Sequence, residues 1–248
     1  MWDIYDDLIN SMPDDLTVLD CMVGLHWTLV RSQLGTGAAM TVKGGREEKG
    51  GQDIIGMPLK ELAAQIKSWN MIEASLGQAA MNAAFNIPGN VTAITGQPFV
   101  TTENPEETNG FVQFMPEIQG KKVAVIGHFP NLEAMNSICR LSILERLPQA
   151  DDYPDPACEY ILPEQDVVFI TGTAFINKTM PRLISLSRNA RIILVGPSVP
   201  ISPILFKYGA DTIASTVLVN AEQVWETVKL GLKMNIFRHG GQMVCIQR

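Results

Sequence analysis

The spacing of apolar positions changes character along the chain. In residues 1–15 apolar side chains recur three and four positions apart, which predicts an amphipathic helix. Short segments at 17–24, 26–32 and 38–42 predict strands joined by glycine turns. A helical spacing returns in 58–85, where two helices are predicted, the second of them from about Met71 to Phe85 and rich in small residues. Antiparallel strands followed by helices indicate a small α+β domain over residues 1–86.

The remainder of the chain has a different pattern. Residues 87–119 contain several prolines and little periodicity, so we interpret them as a linker with one short strand near Phe111–Met115. From residue 120 continuous apolar runs alternate with helical segments, at 121–127, 140–145, 166–171, 191–196 and 212–217. This alternation predicts βαβ units and a doubly wound parallel sheet over residues 120–248. The expected fold class is therefore α/β, preceded by a smaller α+β domain.

Composition narrows the class of protein. Apolar residues make up 46% and charged residues 18% of the 248, which excludes a wholly disordered chain. The net charge of −7 is the opposite of the basic surplus that nucleic-acid binders carry. No apolar run is long enough to span a membrane, and the acidic start lacks the features of a secretory signal. Four widely spaced cysteines are expected to be reduced thiols, so we expect a cytoplasmic protein.

Three predicted strand ends are rich in glycine and hydroxyl residues. The first contributes Gly127, His128 and Phe129. The second contributes Thr171, Gly172, Thr173 and Asn177, and the third contributes Gly196, Pro197 and Ser198. Ligands of open α/β sheets bind beyond the carboxyl ends of the strands, so these residues predict a small-molecule cleft. The alternative is ordinary turn chemistry with helix caps.

Particular side chains suggest roles in such a cleft. Histidine is the side chain whose unperturbed form changes charge near neutral pH, so His128 could transfer a proton. Phe129 offers a flat face to a planar heterocycle. The first turn lacks the glycines of a dinucleotide fingerprint, but Glu145 ends the next strand, where a ribose-binding carboxylate often lies. A nucleoside-like ligand therefore stays open, and the cofactor is unknown.

Two charged segments are further candidates. The glycine-rich loop 43–52 contains Arg46, Glu47 and Glu48, and Glu47 could reach a cleft as a second acid or base. A plain hairpin loop is the alternative. Residues 151–159 gather four carboxylates and a thiol among prolines, and we interpret them as a solvated loop. No metal-binding spacing of Cys, His or carboxylates occurs, so a directly bound metal is not predicted.

Three short segments together resemble a known family: VIGHFP at 125–130, TGTAFINKT at 171–179 and LVGPSVP at 194–200. They are similar to the heavy-metal-chelation family, bacterial and archaeal domains of unknown function. The resemblance implies an enolase N-terminal-like domain followed by a Rossmann-like domain, with a site in the interdomain cleft. It also implies a role in metal homeostasis, through condensation, hydrolysis or group transfer on a pterin-, flavin- or siderophore-like chelator.

Three functions remain to be separated. The leading hypothesis is an enzyme acting on a small ligand, either a metal chelator or its precursor. The second is a non-catalytic protein that carries a metal–chelate complex. The third is a structural or regulatory subunit, and a homo-oligomer is compatible with all three.

Overall fold

The computed structural model describes residues 2–47, 53–102, 104, 108–130, 132–149, 151–233, 236 and 238–248. Glu48 and the rest of the glycine-rich loop beyond Glu47, up to Gln52, lie outside the described residues. Among the described residues no helix is both long and apolar enough to cross a membrane.

The first part of the chain forms a three-stranded antiparallel sheet covered by helices. Its elements in chain order are α1 (Asp3–Asn10), β1 (Asp20–Val23), β2 (Trp27–Arg31), β3 (Thr36–Met40), α2 (Leu59–Ala64) and α3 (Met71–Phe85). The small residues of α3 let it lie directly on β3. A Cβ at Gly37 would be 2.2 Å from Ala79 O and from Ala83 N, so this strand position has no room for a side chain.

The predicted linker is wrong in its local structure. Residues 87–119 contain two helices, α4 (Pro88–Thr95) and α5 (Gly110–Ile118), and no strand forms near 111–115. Pro88 is the first residue of α4, and Gly96, which has a left-handed backbone (φ +68°), ends the helix. Proline at the start and glycine at the end are common in helices. Asn109 caps α5, accepting a hydrogen bond from Phe111 N at 3.0 Å. Apolar residues three or four positions apart in α5 face the sheet, so the apolar run at 111–115 belongs to a helix and the predicted strand is wrong.

The second part contains a seven-stranded, mostly parallel sheet, so the α/β class is confirmed. Its strands are β4 (Lys122–Ile126), β5 (Arg140–Glu145), β6 (Tyr153–Pro154), β7 (Val167–Thr171), β8 (Arg191–Val195), β9 (Thr212–Leu218) and β10 (Gly241–Gln247). They lie in the order β10-β9-β8-β7-β4-β5-β6. The edge strand β10 is antiparallel to β9 and was not predicted, and neither was the two-residue β6.

Short helices connect these strands. They are α6 (Glu133–Asn136), α7 (Cys158–Ile161), α8 (Thr173–Ile176), α9 (Met180–Leu186), α10 (Ile204–Lys207) and α11 (Ala221–Lys229). The segment 151–159 is not simply a solvated loop, because it contains β6, a 3-10 turn at Asp155–Ala157 and the start of α7. Cys158 is buried there.

The large sheet is covered on both faces. On one face, Ala124, Ile126 and Val168 join a core shared with α1 and α3 of the first part. On the other face, Val125 and Phe169 lie beneath Phe114 of α5. Successive residues of a strand point to opposite faces, so each central strand supplies both cores. The carboxyl ends of the parallel strands remain as the edge at which loops can form a site.

Candidate functional site

The strand-end loops that follow β4, β7 and β8 meet at one edge of the large sheet. A Cβ at Gly127 (φ +100°) would lie 3.2 Å from the Thr171 side chain and 3.3 Å from the Phe129 ring. A Cβ at Gly172 would lie 2.5 Å from Ser198 C and Val199 N. The three predicted groups are thus in contact, and their glycines are where the backbones approach one another most closely.

A cavity of about 170 Å³ opens at this edge. Phe129 forms one aromatic wall, and Phe111 lies against it with ring centroids 5.0 Å apart and planes at 59°. Phe111 is held in turn by Phe169, at a centroid distance of 4.9 Å. The predicted residues Phe129, Gly196 and Pro197 line the cavity. All its lining residues follow residue 107, so it lies within the second part of the chain and not between the two parts.

Beside Phe129, the imidazole of His128 is oriented by a carboxylate. Nδ1 lies 3.0 Å from Asp152 Oδ2, which also accepts the N–H of Gln149 at 3.0 Å. The Asp152 side chain is only 5% exposed, whereas that of His128 is 39% exposed. In the tautomer with the proton on Nδ1, His128 donates to Asp152 and Nε2 is left as the acceptor nitrogen. Asp152 was assigned to a solvated loop, and the structure corrects that assignment.

Glu145 holds the first turn through its carboxylate. Oε2 accepts the N–H of His128 at 3.0 Å, and Oε1 accepts the N–H of Arg146 at 3.1 Å. Both oxygens are therefore already engaged by backbone donors. The structure thus gives Glu145 a role in fixing the backbone beside His128; its role toward a ribose stays a prediction.

The polar side chains of the second loop, which follows β7, form hydrogen bonds mainly within the loop. The hydroxyl oxygens of Thr171 and Thr173 lie 3.0 Å apart, and Asn177 Oδ1 accepts hydrogen bonds from the N–H and hydroxyl of Thr179 at 3.1 and 2.6 Å. Asn177 therefore shapes the turn that leads into α9. Thr171, Thr173 and Asn177 are half-buried.

The third loop joins the two parts of the chain. Ser198 is 3% exposed, and its hydroxyl accepts the N–H of Met40 at 2.8 Å. The carbonyl of Pro197 accepts a hydrogen bond from Asn82 of α3 at 3.1 Å. These groups are committed to packing against the small sheet, so a ligand would have to displace them to reach the Ser198 hydroxyl.

Glu47 is exposed, and its loop is fastened elsewhere. The N–H of Arg46 donates to Trp69 O at 2.9 Å, and the carbonyl of Arg46 accepts from Asn70 at 2.9 Å. No contact among the described residues joins Glu47 to the cavity.

Lys178 was not identified from the sequence. Its backbone is left-handed (φ +67°), which is rare for a residue with a long side chain. Its ammonium donates to Ile176 O at 2.7 Å and to Ser68 O, and it lies 5.4 Å from the centroid of the Trp69 ring. Burial lowers the pKa of Lys178 to about 8. Its position beside Asn177 was the only signal in the sequence.

The described residues contain no group of three or more His, Cys, Asp or Glu placed to hold a metal ion. The four cysteines are free thiols. Burial raises the pKa of Cys158 to about 12 and that of Cys245 to about 11, which disfavours the thiolates that metals bind.

Two family models match the chain, and both are described as "Putative heavy-metal chelation". One matches residues 110–247 and the other residues 5–85. A curated relative, an uncharacterised protein of Methanocaldococcus jannaschii, is 28% identical over 250 residues, covering 94% of this chain and 90% of the relative.

Two solved structures of the DUF364 family, both of unknown function, are also similar. The one from Desulfitobacterium hafniense is 40% identical with a TM-score of 0.91, covering 100% of this chain and 99% of that one. The one from Pyrococcus horikoshii is 24% identical with a TM-score of 0.76, covering 99% and 98%, and this second similarity supports the fold alone.

Proposed function

The chain belongs to the family described as heavy-metal chelation, and from that premise we propose that it binds a small organic chelator, or the precursor of one, in the cavity lined by Phe111 and Phe129. The observation that carries this proposal is the character of the cavity walls. The rings of Phe111 and Phe129, packed against each other, line the cavity together with the apolar side chains of Val195, Ala214 and Val244. Carbon-rich walls suit an organic ring, whereas a bare metal ion requires oxygen, nitrogen or sulfur ligands.

The position of the cavity supports the same proposal. Counted from β4, the parallel strands have the order 3-2-1-4-5-6, which is the order of dinucleotide-binding sheets. We therefore assign the large sheet to the Rossmann-like class, and by resemblance the first part to the enolase N-terminal-like class. Small ligands of Rossmann-like proteins bind beyond the carboxyl ends of the strands, where this cavity opens.

His128 is the proposed catalytic residue. Asp152 fixes the ring through Nδ1, and Nε2 is then the nitrogen that exchanges a proton with a ligand. A histidine oriented by a buried carboxylate is the usual arrangement for proton transfer, and proton transfer is common to condensation, hydrolysis and group transfer. The second candidate function is a carrier that holds a metal–chelate complex without changing it.

The two candidates are separated by His128→Asn. The asparagine amide can still donate to Asp152 but has no counterpart of Nε2. We propose to extract small molecules from the purified wild type, His128→Asn and Phe129→Ala, and to identify them by mass spectrometry. An enzyme releases different masses from wild type and His128→Asn, because the variant retains substrate. A carrier releases the same mass from both.

Phe129→Ala tests the cavity itself. It should release little of either molecule, while circular dichroism shows the wild-type fold. Equal yields of one organic molecule from wild type and Phe129→Ala would contradict the proposed location. No organic molecule from any of the three proteins, together with a stoichiometric bare metal in the wild type, would contradict the proposed function.

A further inference from the structure

We infer that the side-chain amine of Lys178 is a nucleophilic site that binds a small aldehyde or ketone as an imine. Lys178 is not among the residues that line the cavity, so this inference concerns a second site and goes beyond the proposed function. It follows from three features: the acceptors around the nitrogen, the lack of a carboxylate partner, and the backbone that holds the residue.

The acceptors around the nitrogen suit the neutral amine. Nζ of Lys178 donates to Ile176 O at 2.7 Å and to Ser68 O, so it is held by carbonyls from both parts of the chain. A neutral amine has two hydrogens and one lone pair, whereas an ammonium has three hydrogens. The two carbonyls therefore accept both hydrogens of the neutral form, and the lone pair is left to attack a ligand.

No negative charge holds Lys178 in its ammonium form. Among the described residues no carboxylate forms an ion pair with it, and desolvation by burial is what lowers its pKa to about 8. The charged side chains nearest to Ser68 along the chain have other partners, since Lys67 pairs with Asp6 and Glu73 accepts from the Ser68 hydroxyl. At pH 7.5 about one quarter of Lys178 is therefore neutral, against about one in a thousand for a lysine of ordinary pKa.

The backbone fixes the position of this side chain. Lys178 is the only residue other than glycine with a left-handed backbone among the described residues. It is the second residue after the end of α8, where glycine is common because it has no Cβ. Strained residues of this kind occur mainly at functional sites, where the surrounding structure holds them in place. Here the two carbonyls that accept from Nζ provide that hold.

The ring of Trp69 forms one side of the site. Its centroid lies 5.4 Å from Nζ of Lys178, and the residue is 47% exposed. Lys178 itself is half-buried, so a small molecule can approach the nitrogen from solvent beside the ring. A lysine amine that is partly desolvated in this way is the usual nucleophile for carbonyl compounds.

The reaction needs only the amine and the carbonyl compound. The nitrogen lone pair attacks the carbonyl carbon and forms the C–N bond of a carbinolamine. The former carbonyl oxygen then leaves as water, with the two hydrogens of the original amine. When the imine is protonated it carries one N–H, which the Ile176 carbonyl can accept.

The test measures reactivity on the full wild-type chain. Limiting benzaldehyde is added with cyanoborohydride, which reduces imines to stable amines, and peptide mass spectrometry gives the rate at each lysine. Exposed Lys207 of α10 is the matched control. At pH 7.5 we expect Lys178 to react at least about tenfold faster than Lys207, because more of it is neutral.

The pH dependence gives a second readout in the same samples. The ratio of the two rates should be constant below about pH 8 and fall above it, because Lys178 is then fully neutral while Lys207 continues to lose protons. A ratio near one at pH 7.5, or a ratio that stays the same from pH 7 to 10, would overturn the inference.

Trp69→Ala separates desolvation of the amine from simple exposure. The variant opens the approach to Nζ but also returns water to it, which raises the neutral form's cost relative to the ammonium. The rate at Lys178 should therefore fall at least about threefold at pH 7.5, while the rate at Lys207 is unchanged and circular dichroism shows the wild-type fold. A faster rate at Lys178 in this variant would show that access alone controls its reactivity, and the inference would be wrong.

Discussion

Gly172 lies where two strand-end loops of the candidate site are too close for a side chain. An added Cβ would be 2.5 Å from the backbone of Ser198 and Val199, which cannot move without separating two strand-end loops. We expect Gly172→Ala to lower the free energy of unfolding by about 2 kcal/mol or more in urea titrations. Gly89 in α4 is the matched control, because its Cβ would meet nothing within 4 Å. Gly89→Ala should be neutral or stabilising, by up to about 1 kcal/mol.

Lys178 gives a prediction about pH. Burial lowers its pKa in the folded protein from 10.5 to about 8, so the unfolded chain binds more protons between these values. Stability therefore rises with pH through that window, because the penalty for burying the ammonium disappears as Lys178 loses its proton. Below pH 8 the lysine is charged in both states and the penalty is constant.

The measurement compares wild type with Lys178→Met from pH 7.5 to 10.5 by urea titration. Other groups titrate alike in both proteins and cancel. The stability of wild type relative to the variant should rise across the window by about 1 kcal/mol, a figure reduced for solvent screening of a half-buried group. A difference that stays constant or falls with pH would contradict burial as the cause.

Residues of the site were predictable from the sequence only where they directly follow an apolar run that forms a strand. Phe129, Gly196 and Pro197 follow apolar runs, and this position placed them at the cavity. Asp152 and Phe111 were not predictable. Asp152 is buried because the chain between β5 and β6 folds over it, and Phe111 was placed in a strand of the expected linker. Both depend on contacts between segments distant in sequence.

At the scale of elements, α3 joins the two parts of the molecule. Asn86, the residue at its C-terminal cap, donates to Val199 O at 3.0 Å, Ser215 Oγ at 3.1 Å and Thr216 O at 3.2 Å. It also accepts the N–H of Ile201 at 2.8 Å. One buried side chain thus satisfies groups of the loop after β8 and of strand β9, and residues of both segments line the cavity.

Removal of this side chain leaves several buried groups without partners. We expect Asn86→Ala to lower the free energy of unfolding by about 3 kcal/mol or more, since each buried unsatisfied group costs about 1–3 kcal/mol. Exposed Asn189→Ala is the control and should change stability by less than about 0.5 kcal/mol. The measurement is chemical denaturation, and equal effects of the two substitutions would refute the role given to Asn86.

The helices and strands that were predicted correctly are those whose apolar spacing can be recognised within the element itself. Helix α3 and strand β5 have the predicted bounds, and β4, β7, β8 and β9 agree within about one residue at either end. α5 was not recognised, because Phe111–Met115 is a short apolar run that periodicity alone cannot assign and Pro116 lies within the helix. β10 is defined by its pairing with β9, a long-range contact that leaves a weak local signal.

At the scale of the whole molecule, the two parts form common cores. Tyr5 of α1 donates to Phe175 O at 3.1 Å, and its ring lies 6.0 Å from that of Phe175. On the other side of the small sheet, Trp27 packs in one cluster with Trp225 of α11, and its indole donates to Lys233 O at 2.7 Å. The boundaries predicted at 86 and 120 follow changes in the sequence pattern. The buried cores, however, contain residues from both sides of these boundaries.

Shared cores predict a single unfolding transition. If residues 1–86 unfolded alone, the face of the large sheet that contains Ala124, Val168 and Ile170 would be exposed to water, and its apolar burial would be lost. Hydrogen exchange measured at increasing urea should therefore give one midpoint for peptides from α3 and from β7. Asn86→Ala should lower both midpoints equally, because both depend on the same interface. Two separate midpoints, or a folded fragment of residues 1–86 by circular dichroism, would show that the small sheet is stable without the large one.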